Sequence, residues 1–327
     1  MVNHSPAILI LGRALEKGET AKDLLAGLER LGSVRVAAQT PSEVSRMREL
    51  LSDREILVFD PVPYVQLRRE MLEATPIRFI TVTTSGYDHL DLQGARDLEI
   101  EVSNVPQYGR KAVAEQTLAL LLSLFWKIPS ADRLVRSQGW DFRPFLGTEI
   151  AGKTFGIIGL GDIGSRVAEI AQAFRATVIA HDIRPRRLPG VRMVSLRELV
   201  EQSDIISLHA DLNPSSLGLF GREQFGWMKP SAVLVNTGRG RLVDETALIE
   251  ALQDGRIGGA ALDVLTLEQP GTENPLFGLP NVVLSPHMAF CTREALARRN
   301  QIILENVQAF LAGKPIHRIV EEAVACL

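Results

Sequence analysis

The 327-residue chain is long enough for two domains, and 46% hydrophobic with 23% charged residues is the balance of a globular protein in water. A net charge of −3, with no basic block beyond the short Arg184, Arg186, Arg187 cluster, excludes a nucleic-acid surface. Cys291 and Cys326 lack metal-ligand spacing, so neither a metal centre nor a disulfide framework is expected and a reducing cytoplasm is the natural location. The apolar stretch 7–11 is too short for a signal-peptide core, and 118–126 falls far short of the roughly 20 residues that span a bilayer, so no membrane partner is expected.

In chain order, apolar runs at 7–11, 33–37, 55–59 and 77–82 alternate with helical-period stretches at 20–31, 41–51 and 64–73. Alternation at this spacing argues a parallel sheet covered on both faces. A turn-forming stretch at 104–109 suits a domain crossing, and a long helix is expected at 111–126. Further strands follow at 155–158, 177–180, 204–208, 232–235, 258–264 and 282–284, making a second α/β unit. Thr292 can cap a last helix whose apolar face is Leu296, Ile303, Val307, Phe310 and Leu311, stopped by Gly313 and Pro315. Coming after the final strand, that helix is expected to pack back on the first domain.

The strand 155–158 runs into Gly159-Leu160-Gly161-Asp162-Ile163-Gly164, which opens a helix at 163–174; the next strand ends at Asp182, eighteen residues past the last glycine. Strand, glycine turn, helix, strand and acid in this order read as a dinucleotide site. Gly159 makes the tight turn, Gly161 admits a pyrophosphate, and Gly164 allows close helix–strand packing. The helix start at Asp162 and Ile163 offers N–H donors and a positive dipole end. Asp182 can accept from both hydroxyls of an adenosine ribose, which favours NAD over NADP, although Arg184 could greet a phosphate.

Four strands of this second unit end in polar residues, at the carboxyl edge where open α/β sheets bind ligands. The segments are Asn236-Thr237-Gly238-Arg239-Gly240, Asp263 with Glu268 beyond it, Ser285-Pro286-His287, and His209. A dinucleotide that delivers a hydride to a carbonyl carbon leaves an oxygen that needs a proton. An imidazole such as His287 gives and takes protons at cellular pH, and Glu268 beside it would favour the charged ring. Arg239 offers a planar fork for a carboxylate or a polarised carbonyl oxygen. Of the other histidines, His4, His89, His181 and His317 read as structural, and only His209 is a candidate to touch NAD.

From residue 80 to 312 the chain resembles the D-isomer-specific 2-hydroxyacid dehydrogenases of the phosphoglycerate dehydrogenase and glyoxylate/hydroxypyruvate reductase type. The resemblance rests on motifs in the family's order. These are Ser85-Gly86-Tyr87-Asp88, Val113-Ala114-Glu115, Gly152-Lys153-Thr154, the glycine turn, Asn236-Thr237-Gly238-Arg239-Gly240, Val243-Asp244, Ala261-Leu262-Asp263-Val264, Glu268 and Pro286-His287. It implies an α/β protein of two doubly wound parallel-sheet domains. A Rossmann cofactor domain, 105–289, would be inserted in a flavodoxin-like substrate domain, 1–104 plus 290–327. It further implies a catalytic trio of Arg239, Glu268 and His287, and substrate contacts from Ser85 and Gly86 together with Arg239 and His287. Thr237, Gly238, Asp263 and His209 join the glycine turn and Asp182 as cofactor residues. A homodimer built through the 111–126 helix and an arm around Trp140 and Phe145 is also implied.

Several positions depart from the family pattern. Gln269 separates Glu268 from Pro270, Asp211 replaces a proline after His209, and Phe290 follows His287 where small residues are usual. The chain ends at Leu327, which leaves no room for the extra C-terminal domains of some phosphoglycerate dehydrogenases. Asp60 and the run Thr83-Thr84-Ser85 stand where arginines would hold a phosphate, so a small unphosphorylated 2-keto or D-2-hydroxy acid is the expected substrate. The alternatives are a phosphoglycerate dehydrogenase with a phosphorylated substrate and, from another class, an NAD(H)-sensing corepressor-like binding protein. A formate dehydrogenase is disfavoured, because that family pairs its histidine with Gln rather than an acid.

Overall fold

The computed structural model describes residues 5–12, 19–61, 65–184, 186–268 and 270–319. It divides the chain into two compact units, Met1–Gly109 with Thr292–Leu327, and Arg110–Cys291.

The first unit holds five parallel strands: β1 Ala7–Leu11, β2 Ser33–Ala37, β3 Ile56–Phe59, β4 Phe79–Val82 and β5 Glu101–Ser103, in the order β2-β1-β3-β4-β5. That is the flavodoxin-like doubly wound order. β3 and β4 are buried at every position, as apolar runs covered on both faces must be. β2, at an edge, is half-exposed and carries Arg35, which discourages pairing with another chain. The helix Arg293–Leu311 belongs to this unit, capped by Thr292, whose Oγ1 accepts the Ala295 N–H at 3.1 Å. Phe310 stacks on Phe79 with centroids 4.5 Å apart.

The second unit holds seven parallel strands: β6 Thr154–Ile158, β7 Thr177–His181, β8 Val191–Met193, β9 Ile205–Leu208, β10 Val233–Asn236, β11 Gly259–Leu262 and β12 Val282–Leu284. Their order, β12-β11-β10-β9-β6-β7-β8, is the Rossmann order extended by one strand. The strand sequence reverses between β6 and β9, and this switch point is where a doubly wound sheet opens a crevice beyond its strand ends. The helix Arg110–Phe125 is packed against β10, β11 and β12 and the helix Asp162–Ala173, and leaves one stripe, Lys111, Glu115 and Ala119, exposed.

Some expected elements shift, for identifiable reasons. Of the stretch 64–73 only Arg69–Leu72 is helical among the described residues, and Tyr64 lies outside them. Leu67 instead bridges to Leu90, its N–H donating to the His89 carbonyl at 2.9 Å, which holds the chain extended. The helix expected from residue 41 starts at Val44, since Glu43 is extended. β11 stops at Leu262 rather than 264, because the next residue, Asp263, turns to hold a neighbouring loop. On the last helix Arg299, Asn300 and Asn306 are buried, while Leu311 lies on the exposed side. Asn306 explains its own burial: its amide donates to Thr81 Oγ1 and to the Asn104 carbonyl, and its oxygen meets His317 Nδ1 at 2.8 Å.

One ion pair makes the second sheet sensitive to acid. Asp204, just ahead of β9, accepts the Thr154 N–H at 2.8 Å and pairs with Lys229 Nζ at 2.9 Å. Burial alone would raise its carboxyl pKa, but the Thr154 N–H and the Lys229 ammonium outweigh burial and hold it below the usual carboxylate range. A lowered folded-state pKa stabilises above the unfolded value and loses that contribution as pH falls through the folded one. Asp204→Asn is therefore expected to cost about 1–2 kcal/mol at pH 7. Paired melting curves at pH 7 and pH 3 check this: the gap in Tm between parent and variant narrows at pH 3, and an equal gap at both would refute it.

Candidate active site

The glycine turn follows β6 directly. Gly159 sits at φ +91°, a conformation L side chains rarely adopt, and a Cβ there would press on the His209 backbone 2.7 Å away. Gly164 lies so close under the turn that a Cβ would collide with the Gly159 carbonyl, whereas one on Gly161 would meet nothing within 4 Å. The helix Asp162–Ala173 starts here with no side chain capping its N-terminus, so its first N–H groups are offered outward by helix geometry. Asp182, after β7, accepts the Leu160 N–H at 2.7 Å and the Arg184 N–H at 2.8 Å, one on each oxygen. A carboxylate has further lone pairs to spare for ribose hydroxyls. Open backbone at Gly161, an uncapped helix start and a fixed acid together fit a dinucleotide.

His209 follows β9. Its Nε2 lies 2.8 Å from Ser207 Oγ, and burial of the ring pushes its pKa down to about 3, so the imidazole is neutral and takes no proton in the working pH range.

β10, β11 and β12 are neighbours and deliver Arg239, Glu268 and His287 from the loops at their carboxyl ends. His287 Nδ1 lies 3.0 Å from Glu268 Oε2, with both side chains about one-fifth exposed. The expected acid–imidazole pair is thus formed. His287 has a left-handed backbone, φ +50°, which costs a non-glycine residue about 1–2 kcal/mol. Asp263 supplies the compensation. Its carbonyl accepts the His287 N–H at 2.8 Å, and its buried carboxylate accepts from Ser285 Oγ at 2.5 Å and from the Met288 and Ala289 N–H groups at 2.9 and 2.8 Å. The resemblance gives Asp263 to the cofactor; the structure adds a role as anchor of the His287 loop. Phe290, the departure from the small residues usual there, meets the His287 ring edge-on with centroids 6.0 Å apart.

Arg239 is half-buried, and one of its guanidinium nitrogens donates to the Gly238 carbonyl at 3.0 Å. Its loop is shaped by Asn236, the first residue of the strand-end motif. The buried Asn236 amide accepts the Gly238 N–H at 3.0 Å and donates to the Arg239 carbonyl at 2.9 Å. The signal is an Asn two residues ahead of a glycine at a strand end, where an Asn side chain bonds the backbone two residues on. Thr237 turns inward: its hydroxyl lies 2.8 Å from Thr117 Oγ1, which donates to the Val113 carbonyl. The Thr237 hydroxyl therefore donates to Thr117 and has no proton left for a cofactor.

In the first unit, Ser85 and Gly86 follow β4. Ser85 Oγ donates to the Val105 carbonyl, Asn104 Nδ2 donates to the Ser85 carbonyl, and Thr84 Oγ1 donates to the Gly86 carbonyl. Among the described residues the Ser85 and Gly86 N–H groups take no partner, so the loop presents two fixed donors. Arg78 stands at the opposite end of β4, over the Phe310 ring and 3.9 Å from Glu55, away from this ligand edge. Gln269, His4 and Cys326 lie outside the described residues. Among the described residues no cluster could hold a metal ion and no helix is long and apolar enough to cross a membrane.

The family model for the D-isomer specific 2-hydroxyacid dehydrogenase, NAD binding domain, matches residues 118–289. The chain is 36% identical to the D-3-phosphoglycerate dehydrogenase of Methanocaldococcus jannaschii over 91% of its own length and 57% of that protein's. It is 40% identical to the glyoxylate reductase of Aeropyrum pernix, over 77% and 78% of the two chains. Among solved structures, an acyclic imino acid reductase in complex with NADPH and D-Arg superposes with a TM-score of 0.87 and 36% identity, covering 96% of this chain and all of that one. The chain belongs to the D-isomer specific 2-hydroxyacid dehydrogenase family. It spans 57% and 45% of the length of the Methanocaldococcus and Archaeoglobus phosphoglycerate dehydrogenases that it matches.

Proposed function

We propose that this chain is an NAD-dependent oxidoreductase interconverting a small, unphosphorylated 2-keto acid and its D-2-hydroxy acid. The observation that carries the reading is the His287–Glu268 pair, 3.0 Å apart at a strand-end rim shared with Arg239 and the glycine turn. When bound, NADH supplies the hydride. In the protonated ring His287 Nδ1–H donates a hydrogen bond to Glu268, which orients the imidazolium, and Nε2–H hands its proton to the carbonyl oxygen. Arg239 grips the carboxylate or polarises the carbonyl, and the Ser85 and Gly86 N–H groups suit an anionic substrate.

An NADH-consumption screen over glyoxylate, hydroxypyruvate, pyruvate, longer 2-keto acids and 3-phosphohydroxypyruvate tests the reading. The likeness to an imino acid reductase adds a further arm, 2-keto acids mixed with ammonium or a primary amine. We expect the best kcat/KM on an unphosphorylated keto acid. Phe290 against His287 favours a compact or apolar substituent, and the placement of Arg78 at the end of β4 opposite the Ser85–Gly86 loop supports an unphosphorylated one. Preference for 3-phosphohydroxypyruvate would replace this reading with that of a phosphoglycerate dehydrogenase. No turnover on any substrate would favour the NAD(H)-sensing binding protein.

The cofactor preference is expected to favour NADH over NADPH by about tenfold or more in kcat/KM, since Asp182 would repel a 2′-phosphate. Parallel kinetics with both cofactors check it, and an NADPH preference would overturn it. The partner is proposed to be a second copy of the chain. The helix Ile128–Arg136 buries none of its residues, and Trp140, Phe142 and Leu146 beyond it are each at least 85% exposed. Aromatic and aliphatic surface on that scale calls for cover.

A further inference from the structure

Glu268 stands between β11 and the short helix Pro275–Gly278, where the described residues 266–268 and 270–274 pack little. Thr266, Leu267, Gly271, Thr272 and Glu273 are all exposed, Leu267 by 69%. Ordering such a segment costs conformational entropy that apolar burial does not offset here. A single side chain outside it holds both of its ends. Glu245 opens the helix Glu245–Gln253, one residue after the N-cap Asp244, where the helix dipole favours an anion. Its Oε2 accepts the Thr266 N–H at 2.8 Å and its Oε1 accepts from Asn274 Nδ2 at 2.9 Å. Asn274 in turn accepts the Leu276 N–H at 3.0 Å, which secures the far end to the short helix Pro275–Gly278. At the near end, the Gly240 backbone lies so tightly against Leu265 that a Cβ would collide with its carbonyl.

We propose that Glu245 is a positioning residue: by pinching residues 266 and 274 to one carboxylate it sets Glu268 at hydrogen-bonding distance from His287. The proposal rests on the reading of His287 and Glu268 as the proton-handling pair. Both of its bonds are made by an ionised acceptor, the stronger class. An amide offers only one acceptor oxygen, so Glu245→Gln can keep one end of the segment and must release the other.

The test is a double-mutant cycle on kcat, run on the full chain with the best substrate of the screen. Glu245→Gln is expected to lower kcat about tenfold with NADH affinity unchanged; in the Glu268→Gln background it should lower kcat no more than about twofold further, because the group it positions is already lost. Adding Asn274→Asp to Glu245→Gln should restore most of the loss, since the swapped amide then donates to the new carboxylate and the cap on Leu276 is kept. An unchanged kcat in Glu245→Gln, or full additivity with Glu268→Gln, overturns the proposal. If Glu245→Gln does not fold, Asn274→Ala removes one arm and leaves the helix start intact, and the same additivity criterion applies. Failure of the underlying reading looks different: His287→Ala would then turn over like the parent, whatever the cycle shows.

Discussion

His287→Ala is expected to lower turnover by about 10²- to 10⁴-fold, the range set by a placed general acid. The ring is held by an acid 3.0 Å away and by a backbone conformation that Asp263 maintains. NADH affinity, measured by fluorescence titration, should change little, because the cofactor-side features lie at the ends of β6, β7 and β9. Glu268→Gln keeps the shape and a hydrogen-bonding oxygen but removes the charge, and should fall between parent and His287→Ala. Turnover by His287→Ala within about fivefold of the parent would remove the imidazole from the proton transfer.

Arg239→Lys is expected to cost about 10²- to 10³-fold in kcat/KM, on the scale of losing one preorganised donor at a developing oxyanion. Lysine preserves the charge and much of the length, but not the planar fork that meets a carboxylate with two parallel bonds. The Asn236 amide fixes the loop backbone rather than the guanidinium, so the variant should fold and bind NADH as the parent does. A split between KM and kcat assigns the fork. Loss mainly in KM points to the substrate carboxylate, and loss in kcat points to the reacting carbonyl. Near-parent kinetics would show that charge alone suffices.

The amino-acid sequence determined the features whose physics is local. Runs of four or five buried apolar residues marked nearly every central strand, since a strand covered on both faces has no polar side to show. The glycine turn and Asp182 were legible because a tight turn, an uncapped helix start and an acid after the next strand are fixed by short spacings. Arg239, Glu268 and His287 were legible because each follows an apolar run. The short edge strands Glu101–Ser103 and Val191–Met193 carried too few apolar residues to stand out. Only the tertiary structure decided the strand order, the inward turn of the Thr237 hydroxyl onto a threonine 120 positions away, and the grip of Asp263 on the His287 loop. Glu245 read as an ordinary acid at a helix start. Its two partners are 21 and 29 positions along the chain, and they meet it because the parallel sheet sets the ends of neighbouring strands side by side. Hydrogen bonds across such distances depend on which elements become neighbours, and no periodicity or spacing in the sequence encodes that.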